Sequence, residues 1–174
     1  TIDQPDDIDA RFLLAFAYSA LGRQQPAIRQ FEMAGLPDTV LSESRRASEV
    51  HALNMYYSAL NAAGREAEAR SLAEWHFDWN KAGLTLTEGG GWASHLADAC
   101  SLMVRADRDA ALDTLENMAR VTPIVRLPWL QDLACFQDLQ DEPRYRAVVT
   151  SIEERIAAIR ARLPETLARH GLEP

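Results

Sequence analysis

The side chains with the most potential for chemistry lie close together near position 100: His95, Asp98 and Cys100. On a helix, His95 and Asp98 share a face because they are three residues apart, whereas Cys100 points elsewhere. A tetrahedral metal site needs three or four ligands that converge, and a single helix does not supply them. The sequence therefore predicts no metal site. His51 and His76 are interpreted as surface or core histidines.

Other catalytic and cofactor motifs are missing from the sequence. It has no G-x-S-x-G nucleophile elbow, no phosphate loop with a Lys-Ser/Thr pair, no dinucleotide fingerprint and no HExxH site. The stretch Glu88-Gly89-Gly90-Gly91 could hold an anion with backbone N–H groups. Without the lysine, it is better interpreted as a flexible connector. We expect no cofactor and no enzymatic activity.

Composition narrows the classes of partner. The 174 residues are 47% hydrophobic and 25% charged, which is typical of a folded domain. A net charge of −8 argues against nucleic acid and against anionic membrane surfaces, since both require basic faces. No apolar run approaches the roughly 18 residues that span a bilayer. Cys100 and Cys135 lie among apolar neighbours and are predicted to be free thiols in a reducing, cytoplasmic compartment.

Helical periodicity runs along the whole chain, and no useful stretch of strand-like alternation interrupts it. Turn signals at Gly22, Gly64 and Pro123, and a proline at the start of the last long segment, set the boundaries. Pro164 is expected to begin a separate final turn. The predicted helices cover residues 11–21, 24–34, 42–63, 66–79, 92–105, 108–121, a short segment around 132–139 and a long one from 143.

A recurring pattern of large and small residues divides most of the chain into three units. A large residue, a turn residue four positions later and an alanine five positions after that recur with both intervals equal to 42. Glycine supplies the positive φ of a tight turn, and alanine leaves room where the second helix crosses the first. A fixed period of this length predicts stacked helix pairs. The three sets are Tyr18-Gly22-Ala27, Leu60-Gly64-Ala69 and Leu102-Ala106-Ala111.

This pattern resembles the tetratricopeptide repeat over about residues 8–123, most closely in the first unit. The matching residues there are Leu14, Ala15, Tyr18, Gly22, Ala27, Phe31 and Ala34. The period exceeds the family's usual 34. Tyr57, His76 and Asp98 stand where small or apolar residues are usual, and Ala106 replaces the turn glycine. The resemblance implies an all-α solenoid of three antiparallel helix pairs in one domain. Its units are 8–37, 43–82 and 91–123, followed by a connecting segment 124–142 and a capping helix 143–174.

The tail adds a second resemblance. Leu127-Pro128-Trp129-Leu130, Phe136 and the Glu142-Pro143 step look like the segment that closes repeat arrays in bacterial regulators. In those regulators the array follows a winged-helix or nucleotide-cyclase domain. We therefore expect this chain to be a piece of a longer bacterial signalling or transcription-regulator protein, with its final helix covering the apolar edge of the third unit.

The resemblance also implies where a partner would bind. In such arrays the first helix of each pair lines a concave groove, and the family's offsets select polar as well as apolar residues. Asparagine can hold the backbone of an extended peptide, although a solvated helix face explains the same polar residues. The offsets carry no Lys or Arg, which disfavours recognition of a terminal carboxylate. The predicted partner-binding residues are Phe12, Phe16, His51, Asn54, Ser58, Asn61, Leu96 and Met103, with Asp9, Ser19 and Cys100 at the remaining offsets.

Two further surfaces are candidates. Trp75 and Trp79 share a helix face and could anchor a partner, or could pack on the next repeat or on the loop 83–91. The stripe Ile152, Ile156, Ile159 and Leu163 could form a homodimer if the cap leaves it uncovered. The leading hypothesis is a non-enzymatic protein–protein interaction or scaffold module. The alternative is a sensor that binds a small ligand in the groove.

Overall fold

The computed structural model describes residues 8–36, 47–81, 92–121 and 127–171, and every regular element in these ranges is a helix. The prediction of an all-α fold is therefore confirmed for these ranges. The elements are α1 (Ile8–Ala20), α2 (Gln24–Met33), α3 (Ala47–Ala62), α4 (Glu66–Lys81), α5 (Trp92–Val104), α6 (Arg108–Val121), α7 (Leu127–Asp132), a 3-10 helix (Ala134–Leu139) and α8 (Pro143–Arg169).

Most helix ends fall within a few residues of their predicted positions. The expected helix start near residue 42 and the glycine-rich connector 83–91 lie outside the described residues. One short helix was predicted around 132–139, but two short elements, α7 and the 3-10 helix, occupy residues 127–139. Leu133 separates them because its backbone is extended, with φ −66° and ψ 126°.

The prediction of a separate final turn at Pro164 is wrong. α8 continues to Arg169 with Pro164 inside it. Proline removes one N–H from a helix and crowds the carbonyl four residues earlier. This part of α8 is exposed on all sides from 157 to 166, so water can bond to the carbonyl that loses its partner.

The turns between α1 and α2, α3 and α4, and α5 and α6 share one geometry. Their central residues Gly22, Gly64 and Ala106 have φ of 70°, 80° and 64°. In each turn the N–H of the following residue donates to the C=O of the large residue at 18, 60 or 102, over 2.8–2.9 Å. Such a bond from beyond the helix end satisfies a carbonyl that the helix leaves open. Ala106 thus adopts the left-handed conformation that costs an L-residue about 1 kcal/mol.

Small residues let the helices of each pair approach closely. Ala27, Ala69 and Ala111 are fully buried at equivalent positions of α2, α4 and α6. The pairs then follow one another: α2 packs on α3, α4 on α5, and α6 on α8, while α1 meets α3 and α3 meets α5. One hydrophobic core runs through all three pairs and into the 3-10 helix and the first half of α8.

The prediction of two free thiols is wrong, because Cys100 and Cys135 form a disulfide. Cys100 lies on α5 and Cys135 on the 3-10 helix, and packing of these elements brings their Cα atoms to 5.6 Å. That distance is normal for a disulfide. The thiols no longer support a reducing compartment, since such bonds persist mainly in oxidising ones. The cytoplasmic location stays a prediction. Among the described residues, no helix is both long and apolar enough to cross a membrane.

Candidate partner-binding surfaces

The structure separates the predicted groove residues into an interior and an accessible group. Phe12, Asn54, Ser58 and Leu96 are buried, as are Ser19 and Cys100 at the neighbouring offsets. Phe16, Asn61 and Met103 are partly exposed, and Asp9 is exposed. His51 lies on α3, but its side chain is outside the described residues. Only the second group can touch a partner without a change in packing.

A hydrogen-bonded cluster explains why polar residues of α3 lie inside. The Tyr57 hydroxyl donates to Asn54 Oδ1 over 2.5 Å and lies 2.9 Å from Ser101 Oγ on α5. Burial raises the pKa of Tyr57 above its ordinary value, so the phenol stays neutral. The imidazole of His76, also buried, meets the Tyr57 ring edge-on at 5.9 Å. These contacts join α3, α4 and α5 through polar groups that a partner cannot reach.

The residues that depart from the tetratricopeptide pattern come together here. Tyr57 contacts His76 directly, and the charge of Asp98 adds to the rise in the pKa of Tyr57. Tyr57 and His76 are large, lie on facing helices and are both fully buried. Their role in this arrangement is packing.

The 3-10 helix packs on two of the helices that were predicted to line the groove. These are α3 and α5, the first helices of the second and third pairs. Phe136 and Leu139 are fully buried, and Cys135 is bonded to Cys100, itself a predicted groove position. The Tyr145 hydroxyl of α8 donates to the Leu130 carbonyl over 2.5 Å and fixes the neighbouring segment. The chain thus fills part of its own predicted groove.

The tryptophan surface is only partly described. Trp75 is half-buried and packs against the core, while the side chain of Trp79 is outside the described residues. Phe77, between them, lies under the guanidinium of Arg105, 4.7 Å from the ring centroid. Trp75 therefore contacts this chain's own core.

The stripe on α8 is covered in its first half and open in its second. Val148 and Ile152 are buried and Ile156 is partly buried, whereas Leu163 is 48% exposed and Ile159 is similar. Arg144 binds the α6 carboxylates of Asp113 and Glu116 at 2.5 and 2.7 Å. Hydrogen bonds from Arg144 hold the pKa of Glu116 below its usual range. The start of α8 thus closes the third pair, as a cap requires.

An exposed apolar face on α1 was missed by sequence reasoning. Leu13 is 68% exposed and Leu14 43%, while Leu21, directly after α1, is 72% exposed and Met33 on α2 is similarly open. The signal was present, because apolar residues occupy more of the circumference of α1 than one neighbouring helix can cover. The inner side of α1 packs on α2, with the rings of Phe12 and Phe31 at 6.4 Å. The outer side has no such neighbour among the described helices.

No three His, Cys, Asp or Glu side chains among the described residues are grouped as metal ligands. A shallow hollow on α4, lined by Glu66, Arg70 and Glu74 among others, lies away from the groove residues. The absence of catalytic activity stays a prediction.

Comparison with known proteins identifies no relative. No family model, no curated protein and no solved structure matches this chain. The architecture and surfaces described above are therefore the basis for any proposal about function.

Proposed function

We propose that this chain is a non-enzymatic protein–protein interaction or scaffold module. In this proposal the three helix pairs form a tetratricopeptide-like α-solenoid with a period of 42 residues, capped by α8. The module would be the regulatory part of a larger bacterial signalling or transcription-regulator protein, as the resemblance of the tail suggests. Repeat stacks of this kind bind macromolecules through extended surfaces.

The three equivalent turns are the observation that carries the proposal. Positive φ at Gly22, Gly64 and Ala106, with the same backbone bond across each turn, supports one unit used three times. The order of packing also supports it, since the second helix of one pair meets the first helix of the next at both junctions. Helices unrelated by a repeat would not be expected to share both the turn geometry and the order of packing.

The partner surface in this proposal is a reduced form of the predicted groove. Phe16, Asn61 and Met103, one from each pair, are partly exposed on the first helices. An amide between two apolar side chains suits a short peptide that inserts an apolar residue beside a backbone hydrogen bond. Asn54 and Ser58 are buried and are not part of this reduced surface. The alternative small-ligand sensor gains no support from the hollow on α4.

The test is a capture experiment with a matched control. The purified chain, an Asn61→Ala/Met103→Ala variant and an Arg70→Ala/Glu74→Ala variant serve as baits in a lysate of the source organism. We expect a protein that the first and third baits retain and the second loses. Asn61 and Met103 are not fully buried, so the variant should fold, which circular dichroism verifies.

Two results would count against the proposal. Equal capture by all three baits would exclude the groove. Failure of every bait to retain a protein, together with a ligand that raises the melting temperature, would favour the sensor.

A further inference from the structure

The outer face of α1 has the composition of a helix-packing surface. Ala10, Leu13, Leu14 and Ala17 form a stripe in which two large residues lie between two small ones. Leu13 and Leu14 are exposed, as is Ala17, and no charged residue interrupts the stripe. These four residues are called the first-end face below. A monomer gains nothing from exposing such a continuous apolar strip.

The same stripe recurs on α3, where it is covered. Forty-two positions later stand Ala52, Met55, Tyr56 and Ala59, again small, large, large and small. All four are buried, and α3 packs against α2. The first-end face therefore matches a surface of this chain that binds a helix.

Contacts of α3 with α2 show what that helix must carry. The Tyr56 ring packs on Phe31 at 5.7 Å, and the Tyr56 hydroxyl donates to Glu32 over 3.3 Å. Arg65, in the turn after α3, pairs with the same Glu32 at 3.1 Å and with Glu68 of α4 at 2.6 Å. An apolar residue followed directly by glutamate thus fills the apolar stripe and supplies one of the two carboxylates that pair with the turn arginine.

The third pair presents the same feature to α8. Leu115 is buried on α6, and Glu116, the next residue, pairs with Arg144 at 2.7 Å. The first pair has an equivalent of the turn arginine, but no glutamate among the described residues pairs with it. Arg23 stands 42 positions before Arg65, lies over the Tyr18 ring at 5.1 Å, and makes no ion pair with a carboxylate in the described ranges.

We propose that the first-end face binds an amphipathic α-helix of a partner protein, in which an apolar residue is followed by glutamate. The apolar residue packs between Leu13 and Leu14, and the glutamate pairs with Arg23, as Glu32 does with Arg65. This inference rests on the proposed function only in treating the chain as a binding module. It uses a surface separate from the groove.

Charge argues against the free half of α8 of a second copy as the occupant. The uncovered apolar residues of α8 are Ile159 and Leu163, and they are followed by Arg160 and Pro164. Arg160 would approach Arg23 where a carboxylate is needed. The free half of α8 therefore lacks the chemistry that the first-end face accepts.

The probe for this proposal is a peptide that copies α2. It contains residues 24–36, with Gln25→Glu and Arg29→Lys joined by a lactam, because helices of this length are marginal alone. Both bridged positions are exposed in α2, so the contacting face is unchanged. Titration of the labelled peptide with the full chain, followed by fluorescence anisotropy, should give saturable binding with a Kd below about 100 µM.

Variants locate the binding surface. Leu14→Glu should weaken peptide binding at least about tenfold, whereas Leu163→Glu, an equally exposed leucine on α8, should leave it unchanged. Arg23→Glu should also weaken binding, and a peptide with Glu32→Arg should restore it. The variant Asn61→Ala/Met103→Ala should bind the peptide normally, which separates this face from the groove.

Three outcomes of the peptide titration would overturn the proposal. They are an absence of saturable binding, equal binding by Leu14→Glu, and loss of binding with Arg23→Glu that the Glu32→Arg peptide fails to restore. Sedimentation of the chain alone gives a further check. A dimer that Leu14→Glu dissociates would assign the face to a second copy and overturn the partner helix. A monomer at about 100 µM would support it.

Discussion

The two ends of the row of helix pairs differ in whether a further helix covers them. At the last end, α8 lies on α6, buries Val148 and Ile152, and fixes its start with Arg144 on the acidic side chains of α6. At the first end, α1 has the same kind of apolar stripe and no covering helix among the described residues. A stack of helix pairs leaves an apolar surface at both ends, because each pair packs only on its neighbours.

The two ends therefore differ in whether their residues stabilise the fold or are accessible to a partner. Residues at the last end are tied to the core by burial, ion pairs and the Cys100–Cys135 disulfide, so changes there should alter the free energy of unfolding. Exposed residues at the first end contribute little to folding and are available for contact. The predictions below test this contrast.

Reduction of the disulfide should have the largest effect. A dithiol reductant that opens Cys100–Cys135 frees a loop with a sequence separation of 35 and should lower the free energy of unfolding by about 3–4 kcal/mol. Urea denaturation with and without reductant measures this. Hydrogen exchange should show greater loss of protection in α5 and the 3-10 helix than in α1. Two reactive thiols in the untreated native protein would contradict the bond.

Truncating one apolar residue at each end should give unequal losses. Ile152→Ala removes a buried side chain between α8 and α6 and should cost about 2–4 kcal/mol. Leu14→Ala removes a partly exposed one and should cost under about 0.5 kcal/mol. Urea midpoints of the two variants provide the measurement. Similar losses would mean that α1 is covered in solution, and dilution would then show whether association covers it.

The turns and several helix starts could be predicted from the sequence because their signals are local. A positive φ at Gly22 and Gly64 and a close crossing at Ala27 restrict which residue types fit, wherever the unit lies in the chain. Helix starts at Gln24, Glu66 and Arg108 were placed correctly for the same reason. Only a few residue types satisfy such local backbone requirements, so the requirements can be recognised in the sequence.

Burial of the groove residues could not be predicted, since it depends on distant partners. Asn54 and Ser58 would suit a solvated face equally well until Ser101, more than 40 positions away, is brought beside Tyr57. Pairing of Cys100 with Cys135 depends in the same way on how the 3-10 helix returns to α5. The departures at Tyr57 and His76 were the available sign, because two large residues at small positions must share one space.

Substitutions at the turn residues of the first and third pairs should change stability by smaller amounts and in opposite directions. Gly22→Ala places a Cβ at a φ of 70° and should cost about 1 kcal/mol, although the added atom would meet nothing within 4 Å. Ala106→Gly removes the same strain and should stabilise by up to about 1 kcal/mol, reduced by the extra freedom of glycine in the unfolded chain. Opposite shifts in the melting temperature are expected. Shifts of the same sign would show that the turns are not equivalent.

Loss of the ion pairs of Arg144 should have the smallest effect on the free energy of unfolding. The dependence of this effect on pH distinguishes it from the others. The pKa of Glu116 is lowered from 4.5 by hydrogen bonds from Arg144, so the contribution is fully present above pH 4.5 and is lost as the pH falls through the lower folded-state value. Arg144→Gln should therefore reduce stability at pH 7 and should match wild type more closely near pH 3. Both side chains are more than a third exposed, at 37% and 45%, so the difference will be modest and sensitive to salt. Arg23→Gln at the first end should lower stability by the same small amount at both pH values, because in the described part of the chain Arg23 contacts an aromatic ring rather than a carboxylate. A pH-dependent loss for Arg23→Gln would reveal an acidic partner for Arg23 already within this chain, and the first end would then be closed in the same way as the last.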